Sequence, residues 1–217
     1  MSIINSDGIA GMAGLPENSV DLLLTDPPYK DFQSNRVPKA RRQAPILKAD
    51  FDPFMFICQA ARVVKPGRHF ICWMDDPTFL WVRDIYHFYF DFKSRIVWEK
   101  NNHGCGDLRY SFASRQEYAI HALRRAESRD QCVPLSNRLE TTFNAPRVKK
   151  SVSAHPTAKP VEILTELIRV TTSEGELVCD PYAGGGSTLV AAKKMNRRYI
   201  GWEINSEMAK EAERRLR

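Results

Sequence analysis

Asp26-Pro27-Pro28-Tyr29 suits one kind of chemistry, holding the hydrogens of an exocyclic amine on a flat base while its nitrogen attacks. Such an amine is a poor nucleophile, because its lone pair is delocalised into the ring. To attack a methyl group, the nitrogen must move toward tetrahedral geometry with its hydrogens held by acceptors. The Asp26 carboxylate can accept one and the Pro27 backbone carbonyl the other. Prolines fix φ, so Pro27 and Pro28 stiffen the loop and preorganise these acceptors. Tyr29 offers a ring to stack on an extruded base, a contact worth ~1–3 kcal/mol. Far along the chain, Asp180-Pro181-Tyr182-Ala183-Gly184-Gly185-Gly186-Ser187-Thr188 is a glycine-rich loop suited to backbone contact with a cofactor. It lacks the lysine of a phosphate-cradling loop and departs from the G-x-G-x-x-G of dinucleotide sites. Glu203 follows it by about 20 residues, where a carboxylate can accept from both hydroxyls of a ribose. An adenosyl cofactor without a pyrophosphate needs such a site.

Both loops follow short apolar runs that read as buried parallel strands, Val20 to Thr25 and Glu176 to Cys179. In an open α/β sheet, loops leaving the carboxyl ends of strands line the ligand crevice, so the two loops are expected to share one. Strand-like and helix-like segments alternate along the rest of the chain, which predicts a βαβ layout. Helices are expected over Phe51 to Val64, Pro77 to Phe88, Pro160 to about Thr172 and Ser187 to Met195, with a charged helix running to Arg217. Lys65-Pro66-Gly67 reads as a helix stop. Strands are expected over His69 to Met74, Lys93 to Trp98, Glu117 to Leu123 and Arg198 to Trp202. Arg124 to Ser153 is polar, basic and aperiodic.

The 217 residues suffice for one domain with a small insert. No apolar run approaches the ~20 residues needed to span a bilayer. Five scattered cysteines without a C-x-x-C pair fit reduced thiols and a cytoplasmic setting. His103 and Cys105 stand two apart with no second pair at ligand spacing, so no metal site is expected. The net charge is +6, and its distribution is uneven. Phe32 to Ala49 holds Arg36, Lys39, Arg41, Arg42 and Lys48 with no acidic residue, and Arg138 to Lys159 adds Arg147, Lys149 and Lys150 against Glu140 alone. Basic runs beside a base pocket point to nucleic acid, with Arg36, Lys39, Arg41, Arg42, Lys149 and Lys150 as phosphate contacts.

With Asn5-Ser6-Asp7, Lys65-Pro66-Gly67, Trp98-Glu99-Lys100 and His155-Pro156-Thr157-Ala158-Lys159-Pro160 added, these motifs resemble the S-adenosylmethionine-dependent amino-group DNA methyltransferases of the N-4/N-6 family. The resemblance is to the permuted (beta) group, in which the catalytic motif precedes the cofactor motif as Asp26 precedes Asp180 here. The family commonly has Phe where Tyr182 stands. The resemblance implies a Rossmann-like α/β methyltransferase fold with circularly permuted motif order, a mostly parallel central sheet and helices on both faces. A single catalytic domain would span 1–217, with a basic loop at about 30–50 and a small target-recognition insert at about 108–153. Asp26, Pro27, Pro28 and Tyr29 would then do the base chemistry. Asp180, Pro181, Tyr182, Ala183, Gly184, Gly186, Ser187 and Thr188 would cradle the methionine part of S-adenosylmethionine, and Glu203 its ribose. Asp7 would lie near the cofactor's adenine and Lys159 at its rim. The expected partner is DNA, with no membrane, and the small recognition region makes a homodimer plausible. Transfer would be a direct in-line displacement without metal or covalent enzyme intermediate. The Asp of D-P-P-Y favours adenine N6, because related cytosine-N4 enzymes often carry Ser there. Cytosine N4, RNA as substrate, a binding protein without catalysis and a dinucleotide oxidoreductase are the alternatives. The last leaves Asp26 to Tyr29 without a role.

Overall fold

A computed structural model describes residues 2–28, 51–102, 109–110, 112–148 and 158–217, and of Trp81 the backbone only. In chain order the elements are β1 (Ser2–Ile4), α1 (Gly8–Ala13), β2 (Val20–Thr25), α2 (Pro53–Val63), β3 (Val64–Trp73), α3 (Asp76–Tyr89), β4 (Phe90–Glu99), β5 (Gln116–Arg124), β6 (Thr142–Asn144), α4 (Val161–Thr171), β7 (Leu177–Asp180), α5 (Ser187–Lys194), β8 (Arg198–Trp202) and α6 (Ser206–Leu216). The eight strands form one sheet in the order β1-β8-β7-β2-β3-β5-β4-β6. Every neighbouring pair is parallel except the two made by β5, which therefore runs against all the others.

All six residues of β2 are buried, which is why this central strand reads as an almost unbroken apolar run. Along β3, Phe70 and Cys72 face a core shared with Met12, Phe56, Ile57 and Tyr86 from α1 to α3. Ile71 and Trp73 face the other core, with Ile163, Leu164, Leu167 and Leu189 from α4 and α5. The sheet thus carries helices on both faces. Asp21 is the charged exception within β2: its buried carboxylate accepts from Lys65 Nζ at 2.6 Å and from the Leu177 N–H at 2.9 Å, tying β2, β3 and β7 together below the site.

Two differences from the sequence reading have local causes. Lys65-Pro66-Gly67 stops α2, yet the chain enters β3 at once at Val64. Pairing of β2 with β3 jumps from Val20↔Val64 to Leu22↔His69, so the proline and glycine are absorbed in an irregularity of the strand. Gly67 sits there at φ 74°, packed on the backbone of Gln131. The aperiodic Arg124 to Ser153 region contributes the short strand β6, held on the edge strand β4 by register pairs such as Trp98↔Phe143. Among the described residues no helix is long and apolar enough to cross a membrane.

Candidate active site

β2 and β7 are parallel neighbours, and both glycine-loop and proline-loop motifs leave their carboxyl ends. The two loops are latched to each other. Thr25 Oγ1 donates to Asp180 Oδ1 at 2.6 Å, and the Tyr182 N–H donates to the same oxygen at 3.1 Å. The Thr188 hydroxyl adds a third bond to this carboxylate, which is 2% exposed. Burial lifts the Asp180 carboxyl from its ordinary 3.8 to about 6, although these three donors pull it down; the nearby Asp26 charge adds to the rise.

That shift carries a stability consequence. A carboxyl whose value rises on folding stabilises the fold while protonated, and the contribution disappears as pH climbs through the folded-state value. Between pH 3 and pH 7 this amounts to about 3 kcal/mol, at ~1.4 kcal/mol per pH unit. Asp180→Asn removes the titration while keeping an acceptor for Thr25 and Tyr182. Urea denaturation across this pH range is therefore expected to show the variant gaining about 3 kcal/mol on the wild type from acid to neutral. A difference that stays constant with pH would contradict the account.

Asp26 follows directly at the end of β2, its side chain 24% exposed, with Pro27 buried behind it and Pro28 half-buried. The Lys159 ammonium pairs with Asp26 Oδ2 and lies 3.2 Å from Glu117 Oε2. Glu117 Oε1 in turn holds Lys100 Nζ at 3.0 Å. Lys159 is 5% exposed and sits 5.2 Å from the centre of the Trp73 ring. The ends of β2, β3 and β4, the start of β5 and the chain entering α4 thereby close one wall around Asp26. To the expected place of Lys159 at the cofactor's rim the structure adds its pairing with the Asp26 carboxylate. Glu117 escaped the sequence reading, though a lone carboxylate opening the apolar strand from Tyr118 to Leu123 was its signal.

The other wall is built by the glycine loop and the chain's N-terminal segment. Gly184 and Gly186 take φ of 51° and 78°, conformations that suit glycine and let the loop turn into α5. Pro181, Ala183, Gly184, Gly186, Ser187 and Thr188 are buried, and Tyr182 is half-buried with its ring edge-on to Phe51 and Phe56 at 5.7 Å. Its hydroxyl has no partner among the described residues. The Glu203 carboxylate, half-exposed after β8, accepts from Gly184 N–H at 2.9 Å and Asn205 N–H at 2.8 Å. An ionised carboxylate has about four acceptor positions, so two remain for hydroxyl donors. Asp7 caps α1 by accepting from Ala10 N–H at 2.8 Å, and its neighbour Gly8 touches the Pro181 backbone.

Tyr29, Arg36, Lys39, Arg41, Arg42, His103, Cys105, Lys149, Lys150 and His155 lie outside the described residues. The described site gathers three carboxylates, Asp26, Asp180 and Glu203, round a loop with no lysine of its own. That donor set suits a cationic cofactor carrying hydroxyls and disfavours a polyphosphate.

The profile of a DNA methylase family matches residues 20–214. DNA adenine methyltransferase YhdJ of Escherichia coli K12 is 26% identical over 99% of this chain and 82% of its own length. A local match to Type II methyltransferase M2.DpnII of Streptococcus pneumoniae is 41% identical over 70 residues, spanning 32% of this chain and 26% of that protein. The crystal structure of the M1.HpyAVI–SAM complex superposes with a TM-score of 0.72 at 22% identity, covering 99% of both chains, which establishes likeness of fold.

Proposed function

Because this chain belongs to the DNA methylase family, we propose that it transfers a methyl group from S-adenosylmethionine to the N6 amine of adenine in DNA. The observation that carries this reading is the 2.6 Å bond from Thr25 to Asp180, which latches the acceptor loop and the glycine loop side by side at the carboxyl ends of β2 and β7. The donor set fits the cofactor: Glu203 for the ribose, the backbone of Asp180 to Gly186 with Ser187 and Thr188 for the methionine part, and Asp7 toward the adenine. When bound, S-adenosylmethionine supplies a methyl activated by a sulfonium centre.

The chain's own residues orient and polarise. The Asp26 carboxylate and the Pro27 carbonyl accept the amine hydrogens, shifting electron density onto the nitrogen as it turns tetrahedral. Tyr29 stacks on the target base after it leaves the duplex, and the buried wall of Trp73 and Lys159 keeps water from the acceptor side. Asp26, rather than the Ser often found in cytosine-N4 relatives, supports adenine as the target. Residues 108–153 are the proposed target-recognition insert of a single catalytic domain, and the basic loop at 30–50 the proposed clamp on phosphate. A bacterial or phage-encoded enzyme of the host cytoplasm, restriction-linked or not, is the setting proposed for it.

Offering tritium-labelled S-adenosylmethionine with duplex DNA, single-stranded DNA and RNA tests the reading, with incorporation expected in DNA. Label in RNA alone would replace the substrate, and label in none would refute the reaction. Arg41→Ala with Arg42→Ala should weaken DNA binding and flatten the plot of log K against log salt by about 1–2, near 0.9 for each phosphate no longer neutralised. An unchanged slope would remove these arginines from the interface.

A further inference from the structure

We infer that Glu117 is a positioning residue for the transfer reaction: shared between two lysines, it holds the Lys159 ammonium against Asp26 and so fixes the acceptor carboxylate. This rests on the reading of Asp26 proposed above. Nothing in the D-P-P-Y or glycine motifs requires Glu117, yet it links three elements at the site. It opens β5, the one strand that runs against the others, so its side chain meets the carboxyl ends of β2, β3 and β4 rather than their starts. One oxygen binds Lys100 Nζ at 3.0 Å, the other Lys159 Nζ at 3.2 Å, and the second ammonium passes on to Asp26 Oδ2.

An ammonium so buried would be lost to deprotonation without this company. Burial pulls Lys159 down, but Asp26 and Glu117 outweigh it and hold the group above the ordinary lysine value of 10.5. Glu117 shows the reciprocal effect: burial pushes its carboxyl up, while Lys159 and Lys100 bring it below the ordinary 4.5. Among the described residues, the other groups facing Lys159 are the Trp73 ring and Cys72 from β3, with the Asp180 carboxylate from β7 beyond Asp26. Removing Glu117 leaves Asp26 alone against burial, so the proton on Lys159 becomes easier to lose. As it leaves, the carboxylate of Asp26 loses its ion pair with Lys159, and transfer should fail on the alkaline side.

Glu117→Gln tests this with two readouts. Direct NMR detection of the Lys159 Nζ nitrogen, in protein without substrate, should show its titration midpoint falling by about 1–3 pH units. The alkaline limb of kcat should move down with it, so that kcat at about pH 10 falls by about tenfold to a hundredfold while kcat at about pH 7 is little changed, with the KM for S-adenosylmethionine little changed. Glu117→Asp keeps the charge but withdraws it by one methylene, and should move both midpoints the same way by less, so the test survives if Glu117→Gln does not fold. An unmoved Lys159 midpoint overturns the inference. So does a lowered midpoint with an unmoved alkaline limb, or a loss confined to cofactor KM, which would place Lys159 with the cofactor. If the wild type transfers no methyl to any DNA, the methyltransferase reading fails, and the Lys159 titration still decides whether Glu117 holds it.

Discussion

Asp26→Ala is expected to lower methyl transfer by at least about 10³-fold while S-adenosylmethionine still binds. The carboxylate is the only side-chain acceptor that the proline loop brings to the site among the described residues, and its neighbour Pro27 contributes no more than a carbonyl. The substitution also strips the nearly buried Lys159 of one of the two carboxylates that hold it among the described residues, leaving Glu117. Losing one partner of a buried pair can cost about 3–5 kcal/mol. Thermal denaturation should therefore accompany the kinetics, and Asp26→Asn serves as the shape-preserving companion. Asparagine keeps an acceptor oxygen but not the charge, so it should retain more activity than alanine and still fall by about 10²-fold. Measuring cofactor affinity by calorimetry and turnover on the same preparation separates the steps. Turnover retained in Asp26→Ala would refute the role assigned to this carboxylate.

Gly8→Ala is expected to damage the opposite wall. A carbon added at Gly8 would lie 1.9 Å from the Pro181 carbonyl oxygen and 2.8 Å from its carbon. No side-chain motion can relieve contact with backbone, so α1 must back away from the glycine loop, taking Asp7 with it. Overpacking of this kind costs about 1–3 kcal/mol of stability. The affinity for S-adenosylmethionine should fall about tenfold or more, each tenfold being ~1.4 kcal/mol. Gly14→Ala is the control, because its added carbon would meet only the Gly11 carbonyl oxygen at an ordinary 3.5 Å. If both variants bind cofactor as the wild type does, α1 has no part in that pocket.

The central strands and the two loops were legible because their signals are local. β2 is buried along its whole length, so it reads as an apolar run, and Asp26 to Pro28 follow it with no gap. Gly184 and Gly186 announce the positive φ that the turn into α5 demands. The exposed, three-residue β1 and the six-residue α1 leave too short a pattern for periodicity to register. Lys65-Pro66-Gly67 was read correctly as an interruption, but an interruption of strand pairing as well as of a helix. The Asp26–Lys159–Glu117–Lys100 wall was hidden for a different reason. Each member comes from a separate stretch, and only the reversed direction of β5 brings Glu117 to the same end of the sheet as Asp26. Motif spelling could mark Lys159 as important without naming the carboxylates it pairs with.

The most direct test of the account is the identity of the methylated nucleoside. DNA treated with the protein and S-adenosylmethionine, digested to nucleosides and separated by mass spectrometry, should contain N6-methyladenine. DNA carrying N4-methylcytosine alone, or no methylated nucleoside at all, would contradict it.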